Sequence, residues 1–288
     1  MTTGAAPCGL CGGAVEPLVR FDAIAVGRCR RCGSAPVTAS SAADHDPEAY
    51  SRSYEEERVE AKARACWTLL REQLAGHPTV GSVTDLGCGE GAFLDLARTG
   101  GLRTRGLEIA ERAAAVARAV GHHVLSGSLL GGPLPDSLRS DVVVMWDVLE
   151  HLEHPGEALR NARDLLPPGG HLLLATPMMG SVYDRAGIAL HRWTRGRSAA
   201  LLRLCWSDEH VIRLSAGGLE AEMRRLGFAS VSVRPLLLLS LRPTVYAGGR
   251  ILPAWTRSAH LNRMVSRLGV WSARTFGWHN KLLVHAVR

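Results

Sequence analysis

The stretch Val80-Gly-Ser-Val-Thr-Asp-Leu-Gly-Cys-Gly-Glu-Gly91 decides the fold of this 288-residue chain. Its first half, 80–84, is a short β-branched run that reads as a strand. The turn Asp85-Leu-Gly-Cys-Gly-Glu-Gly91 then places glycine at 87, 89 and 91. A helical pattern over 92–98 follows, stopped by Gly100-Gly101. A strand, a tight glycine turn and a helix in that order open a βαβ unit. At such a turn the backbone can come close to a bound nucleotide, because Gly87, Gly89 and Gly91 present no side chain to it.

The same rhythm continues along the chain. A strand over 104–108 ends in Glu108, an Ala-rich helix stops at Gly121, and 124–125 is a weak third strand. The run 141–146 is continuously apolar after its first residue, as a strand at the centre of a parallel sheet should be. A helix over 157–166 is broken by Pro167-Pro168-Gly169-Gly170. Strands over 171–176 and 229–234 flank a helix at 214–226, and 281–287 alternates as a final strand. The expected class is α/β, a parallel sheet covered by helices. Glu108 stands 17 residues beyond Gly91, at a strand end where a carboxylate accepts hydrogen bonds from ribose hydroxyls. On these features alone two chemistries stay open. Gly87-Cys-Gly89-Glu-Gly-Ala92 also satisfies the dinucleotide pattern, which would make the protein a nicotinamide oxidoreductase.

Two further segments join the turn: Asp141-Val-Val-Val-Met-Trp-Asp-Val-Leu-Glu-His-Leu152 and Leu166-Pro-Pro-Gly-Gly-His-Leu-Leu-Leu-Ala-Thr-Pro177. With Gly106-Leu-Glu108 they resemble, in order and spacing over about 80–234, the successive motifs of class I S-adenosylmethionine (SAM)-dependent methyltransferases. The sub-family resembled includes ubiquinone-pathway O-methyltransferases and bacterial natural-product and glycan methyltransferases. The resemblance implies a Rossmann-like, seven-stranded, mostly parallel sheet with helices on both faces, and SAM as cofactor. It implies that Asp85, Gly87, Cys88 (through its backbone), Gly89 and Gly91 cradle the methionine end. Glu108 would take the ribose with Ile109 beside it, and Trp146 and Asp147 would lie at the cofactor mouth. The family carries Gly-Asp after its third strand where this chain has Gly127-Ser128. The adenine contact then passes to Ser128 or to a backbone group. His151 matches a family histidine that serves as base or structural element. His210, in Trp206-Ser-Asp-Glu-His210, resembles the segment lining the acceptor side. These two are the catalytic candidates, as general bases toward a hydroxyl.

The N-terminus carries Cys8-x2-Cys11-x17-Cys29-x2-Cys32. Two CxxC pairs supply four thiolates, enough to close a tetrahedral structural zinc shell, so residues 1–38 read as a zinc-ribbon-like module. Two separate redox or inert pairs are the alternative. The expected division is the module at 1–38, a linker and lead-in helix at 39–79, and the catalytic domain at 80–288. That domain holds an insert at 178–213 and a basic extension at 235–280.

Charge is divided unevenly. The chain carries net +7, with 15 Lys+Arg against 21 Asp+Glu up to residue 159 and 19 against 6 beyond it. Such a tail favours an anionic partner: a phosphorylated or lipid-linked acceptor, a membrane surface or nucleic acid. Only Lys62 and Lys281 are lysines, and the abundant Ala, Gly and Arg fit bacterial GC-rich coding. Along 257–275, apolar Leu261, Met264, Val265, Leu268 and Trp271 share helical spacing with arginines around them. This is a helix that either covers the sheet or rests on a membrane surface. No run of about 18 apolar residues is present and the N-terminus lacks a signal-peptide pattern, so a cytoplasmic protein, peripheral at the membrane if the basic helix binds it, is expected.

Together these readings predict O-methylation of a small-molecule, sugar or lipid-linked acceptor. An N-terminal zinc module resembles the arrangement in some bacterial sugar methyltransferases. A nucleic-acid methyltransferase or zinc-ribbon binding protein is the alternative; no Asn-Pro-Pro-Tyr type of motif follows the central strand to support it.

Overall fold

The computed structural model describes residues 6–39, 56–77, 79–206, 210–236 and 279–288. The linker at 40–55, the amphipathic segment at 257–275 and most of the basic extension lie outside the described residues.

The larger sheet is built from β4 (Ser82–Leu86), β5 (Arg103–Glu108), β6 (His123–Ser126), β7 (Val142–Trp146), β8 (His171–Pro177), β10 (Ser230–Leu236) and β11 (Lys281–Val287). Their spatial order is β10-β11-β8-β7-β4-β5-β6. The five strands from β8 to β6 run parallel, and β11 is antiparallel to both of its neighbours. This is the seven-stranded, mostly parallel sheet that the motifs imply. Strands β7 and β8 are buried along their whole length, which explains why they read as unbroken apolar runs. Helices α1 (Glu56–Gln73), α2 (Ala92–Thr99), α3 (Glu111–Ala119), α4 (Pro155–Asp164) and α7 (Ala216–Arg225) accompany the sheet. Two apolar clusters hold them to it, one around Leu86, Met145 and Leu174, the other around Val83, Phe93 and Val144.

The first catalytic strand begins and ends two residues later than the 80–84 reading. Gly81 is tied to the Asp141 carboxylate ahead of the strand, while Asp85 and Leu86 still pair with Gly106 and Leu107 of β5. The acid therefore sits inside the sheet rather than in the turn. The strand order reverses between β4 and β7, so their C-terminal ends open a crevice of the kind where α/β sheets bind ligands.

The cysteine module forms β1 (Val15–Phe21), β2 (Ile24–Cys29) and β3 (Ala35–Ala39). Its sheet is completed from the far side of the sequence by β9 (Ile212–Arg213), with Ala35 opposite Arg213 and Pro36 opposite Ile212. The insert supplies α5 (Val182–Trp193) and α6 (Ala200–Cys205). Helix α5 starts in a capping box between Ser181 and Asp184. Trp206, Leu202 and Cys205 share one buried core with Phe21, Ile24 and Val26 of the module. Each such large side chain stabilises the joint by about 1.5–3 kcal/mol through burial. The first knuckle also lies backbone to backbone on α4. A side chain at Gly156 would meet the Leu10 carbonyl at 2.4 Å, so only glycine permits the approach. Among the described residues no helix is long and apolar enough to cross a membrane.

Candidate active site

The glycine turn joins β4 to α2 with Gly87, Gly89 and Gly91 all at positive φ. A Cβ on Gly87 would stand 2.6 Å from Val148 Cγ2, whereas one on Gly89 would meet nothing within 4 Å. Gly87 is thus required by packing, and Gly89 faces open space at the crevice. The buried Cys88 side chain lies where Gly106 leaves room for it, so that residue can offer the crevice only its backbone.

Glu108 ends β5 and both of its oxygens accept backbone hydrogen bonds, Oε2 from Gly89 N at 2.8 Å and Oε1 from Ala110 N at 2.9 Å. Each oxygen keeps a second lone pair, so the carboxylate can still take ribose hydroxyls. Ile109 beside it is 57% exposed, an apolar side chain left open at the strand end. Ser128 is exposed and its hydroxyl accepts from Leu130 N at 3.0 Å. Asp85 is buried with Oδ1 lacking any partner. Burial pushes its carboxyl up to about 7, Glu108 adding to the shift and Lys62 opposing it. An orphaned buried carboxylate, an open glycine and a second carboxylate along one crevice fit a cationic, ribose-bearing ligand such as SAM.

Across the crevice, β7 ends in Trp146, buried against Phe93 at 5.8 Å between ring centroids. Asp147 follows in the left-handed region, φ 59°. Its carboxylate pairs with Lys62 of α1 at 3.1 Å and with Lys281 of β11. The two ammonium groups hold it well below the usual carboxylate range despite the opposing effect of burial. The Trp146 ring belongs to the apolar cluster that holds Phe93, Val144 and Ala175.

A 3-10 turn, Leu149–His151, then carries Glu150 and His151. Glu150 is 1% exposed and accepts from Thr176 Oγ1 at 2.9 Å; burial pushes it up to about 7. His210 is brought beside His151, ring centroids 5.1 Å apart. The cause is backbone register: Val211 N donates to Glu150 O at 2.8 Å, while Val37 N of the module donates to Val211 O. The His210 ring is half-buried, with Nδ1 enclosed and unpartnered. Burial pulls His210 down to about 3. His154 instead sits before α4, whose first residue is Pro155.

Sequence reasoning missed three contributors. Lys62 and Lys281 converge on Asp147 from positions far apart in the chain, and their being the sole lysines was the available signal. Arg213 is the third. Buried against Asp184 at 3.2 Å and Trp206, it donates to the carbonyls of Cys205 and Met178, fastening the insert beside the site.

The four module cysteines cluster as the spacing predicts. Cys8 and Cys32 Sγ lie 3.7 Å apart, Cys11 and Cys29 3.6 Å, and all four fall within 4.8 Å of one another. Tetrahedral zinc with bonds of about 2.3 Å separates its sulfurs by about 3.8 Å. The residues therefore fit zinc. The hydrogen bond shared by the Cys8 and Cys32 sulfurs favours one thiolate in the pair, holding Cys32 below the usual thiol range.

Comparison with known proteins follows the same line. A family model described as a methyltransferase domain, Methyltransf_23, matches residues 56–233. The ubiquinone biosynthesis O-methyltransferase of Pseudomonas aeruginosa (strain UCBPP-PA14) is 30% identical over 121 residues, 39% of this chain and 50% of that protein. A probable SAM-dependent methyltransferase of Mycolicibacterium smegmatis is 37% identical over 111 residues, 38% of this chain and 43% of that protein. The chain thus spans about half the length of the curated relatives it matches. Among solved structures, a chain from the complex between the Haloferax volcanii Trm112 methyltransferase activator and a methyltransferase superposes with TM-score 0.57. It is 21% identical, over 85% of this chain and 99% of that one. Phosphoethanolamine N-methyltransferase 2 of Haemonchus contortus, solved with SAM, gives TM-score 0.57 at 14% identity, over 88% and 62%. These two likenesses speak for the fold. The dinucleotide reading of the glycine turn yields to the family match: the chain belongs to the methyltransferase-domain family, the class I SAM-dependent methyltransferases.

Proposed function

We propose that the protein transfers the methyl group of SAM to a hydroxyl of a small-molecule or glycan acceptor. The observation that carries this reading is the set Asp85, Gly89 and Glu108 at the C-terminal ends of β4 and β5, with His151, on the turn that follows β7, paired ring to ring with His210. Bound there, SAM supplies an electrophilic methyl on its sulfonium. Asp85 faces the cationic amino end, Glu108 takes the ribose hydroxyls, Ile109 packs on the base, and Ser128 or a backbone group contacts the adenine. The acceptor hydroxyl loses its proton at the His151–His210 edge, and its oxygen attacks in line. Holding the two reactants in that line is the larger part of the rate. O-methylation is supported by the likeness to ubiquinone biosynthesis O-methyltransferases, 29–30% identical over the matched segment.

The four cysteines bind a structural zinc whose closed shell leaves acceptor chemistry to the crevice. The positive C-terminal half favours an acceptor bearing phosphate, free or lipid-linked.

The test is a transfer assay with methyl-labelled SAM against a panel of phenols, nucleotide sugars and lipid-linked glycans, read by mass spectrometry. Label on oxygen in one acceptor class supports the reading. Label on nitrogen or carbon alone would replace it with another methyl transfer, and no transfer to any class would remove it.

A further inference from the structure

Glu150, His151 and His210 meet at the acceptor edge in an arrangement that transfer by proximity does not call for. Each offers one ligand atom, and the three atoms lie within 4.8 Å of one another. The grouping is built by the backbone and not by chance side-chain rotation. Glu150 and His151 share one 3-10 turn, and the Val211 N–H to Glu150 C=O bond fixes His210 opposite them. Glu150 is buried and its Oε2 is oriented by Thr176. The support of a ligating carboxylate by a neighbouring hydrogen bond is what metal sites use to fix ligand direction. The His210 Nδ1 is enclosed without a partner, a buried polar atom left unsatisfied.

We propose that Glu150, His151 and His210 bind a divalent first-row cation, of the Zn2+, Mn2+ or Co2+ kind, at the acceptor side of the crevice. Two imidazoles and one carboxylate suit such ions better than Mg2+, which prefers all-oxygen shells. Bonds of about 2.1 Å set neighbouring ligand atoms about 3–3.5 Å apart, within reach of small side-chain rotations from the observed spread. Three protein ligands leave open positions for an acceptor. Lys62 and Lys281 lie in the neighbourhood, but both are paired with Asp147, so their charges are balanced next to the site.

The role of the ion rests on the O-methyltransferase reading and specifies how the hydroxyl is activated. A hydroxyl coordinated to the cation ionises more easily, and its proton passes to solvent water. The resulting oxygen anion donates an electron pair to the methyl carbon. The carbon–sulfur bond breaks with its pair kept by sulfur, leaving the neutral thioether S-adenosylhomocysteine and the methyl ether. No electron is gained or lost by the metal.

The experiment is titration of the full chain, carrying one zinc per chain for the four thiolates and no more, with Mn2+ alone, followed by the electron paramagnetic resonance signal of free Mn2+. The thiolate site prefers softer ions, so Mn2+ reports the His/Glu site without displacing zinc. One Mn2+ per chain is expected, with affinity weakened about tenfold or more in His151→Ala, His210→Ala and Glu150→Gln. His154→Ala, outside the cluster, should bind as the parent does. His210→Gln, with circular dichroism and SAM calorimetry as fold controls, serves if His210→Ala does not fold. No Mn2+ binding by the parent, or equal binding by the folded His151 and His210 variants, overturns the site. Histidine-dependent Mn2+ binding in a chain that does not methylate any acceptor upholds the site and removes the methyl-transfer reading. Methyl transfer by a chain that binds no Mn2+ does the reverse.

Discussion

Lys281 of the last strand donates to the Asp147 carboxylate at the end of the central strand, with Lys62 of the lead-in helix at 3.1 Å on the same oxygen. The last strand, the end of the central strand and the lead-in helix are thereby tied together. Both Lys281 and Asp147 are largely buried, so removing one cation leaves an imperfectly compensated carboxylate. Lys281→Met should lower unfolding free energy by about 2–3 kcal/mol, less than full disruption of a buried pair because Lys62 remains. Denaturant titration measures it; a loss below about 0.5 kcal/mol would show the contact to be incidental.

Asp85 gives a pH dependence to cofactor binding. Its carboxyl stands at about 7 in the folded chain because burial penalises the charge. In the proposed binding mode the ionised form attracts the cationic amino end of SAM, and that form grows as pH rises through this value. SAM affinity should strengthen about fivefold or more between pH 6 and 7.5. The profile should flatten and the affinity fall in Asp85→Asn. Calorimetry across that range checks both.

Acid stability should depend on a histidine cluster at the opposite end of the sheet. His171 Nδ1 and His285 Nε2 lie 3.0 Å apart, and the His77 ring stands 4.5 Å from His171. Burial, then His171, His77 and Arg234, hold His285 down to about 4; burial and His77 lower His171. A group with a depressed folded-state value contributes stability that is present above the unfolded value, near 6.5, and lost as pH falls toward 4. The melting temperature should drop between pH 7 and 5, and the drop should be smaller in His285→Gln. Thermal scans at matched ionic strength decide; equal drops would remove the assignment.

Gly87→Ala should destabilise by about 2–4 kcal/mol, since the residue needs positive φ and its Cβ would stand 2.6 Å from Val148 Cγ2. Val148→Ala in the same chain should restore the steric part and leave the backbone part. Additive losses would show that the two residues do not meet.

Zinc removal should act on the acceptor side more than on SAM. The cysteine knuckles hold β3, β3 pairs with β9, and Val37 fixes Val211 next to His210. Cys32→Ser, or chelation of the metal, should therefore raise acceptor KM by tenfold or more while SAM affinity changes about twofold or less. Metal analysis and paired SAM and acceptor titrations test it; equal losses on both sides would mean general unfolding.

The seven-stranded sheet was legible because its central strands are buried on both faces and glycine or proline stops separate the elements. Lys281–Val287 was read to the residue from its sequence pattern, and it lies paired between β10 and β8. The turn glycines and cysteine spacing announced themselves in the same way. What sequence could not show was long-range pairing. Nothing local marks the two-residue strand Ile212–Arg213 as completing the module's sheet, because its partner lies about 180 residues away. The burial of Trp146 and the pairing of Asp147 with both lysines were hidden for the same reason. His210 could be placed on the acceptor side only by resemblance, and its position against His151 depends on one backbone hydrogen bond.

The central claim, a SAM-binding crevice framed by Asp85, the glycine turn and Glu108, is tested most directly by calorimetric titration of the full chain with SAM and, separately, with NAD. The account predicts one SAM site per chain, weakened about tenfold or more by Glu108→Ala, and no heat with NAD. Saturable binding of NAD with none of SAM, or SAM binding indifferent to Glu108, would contradict it.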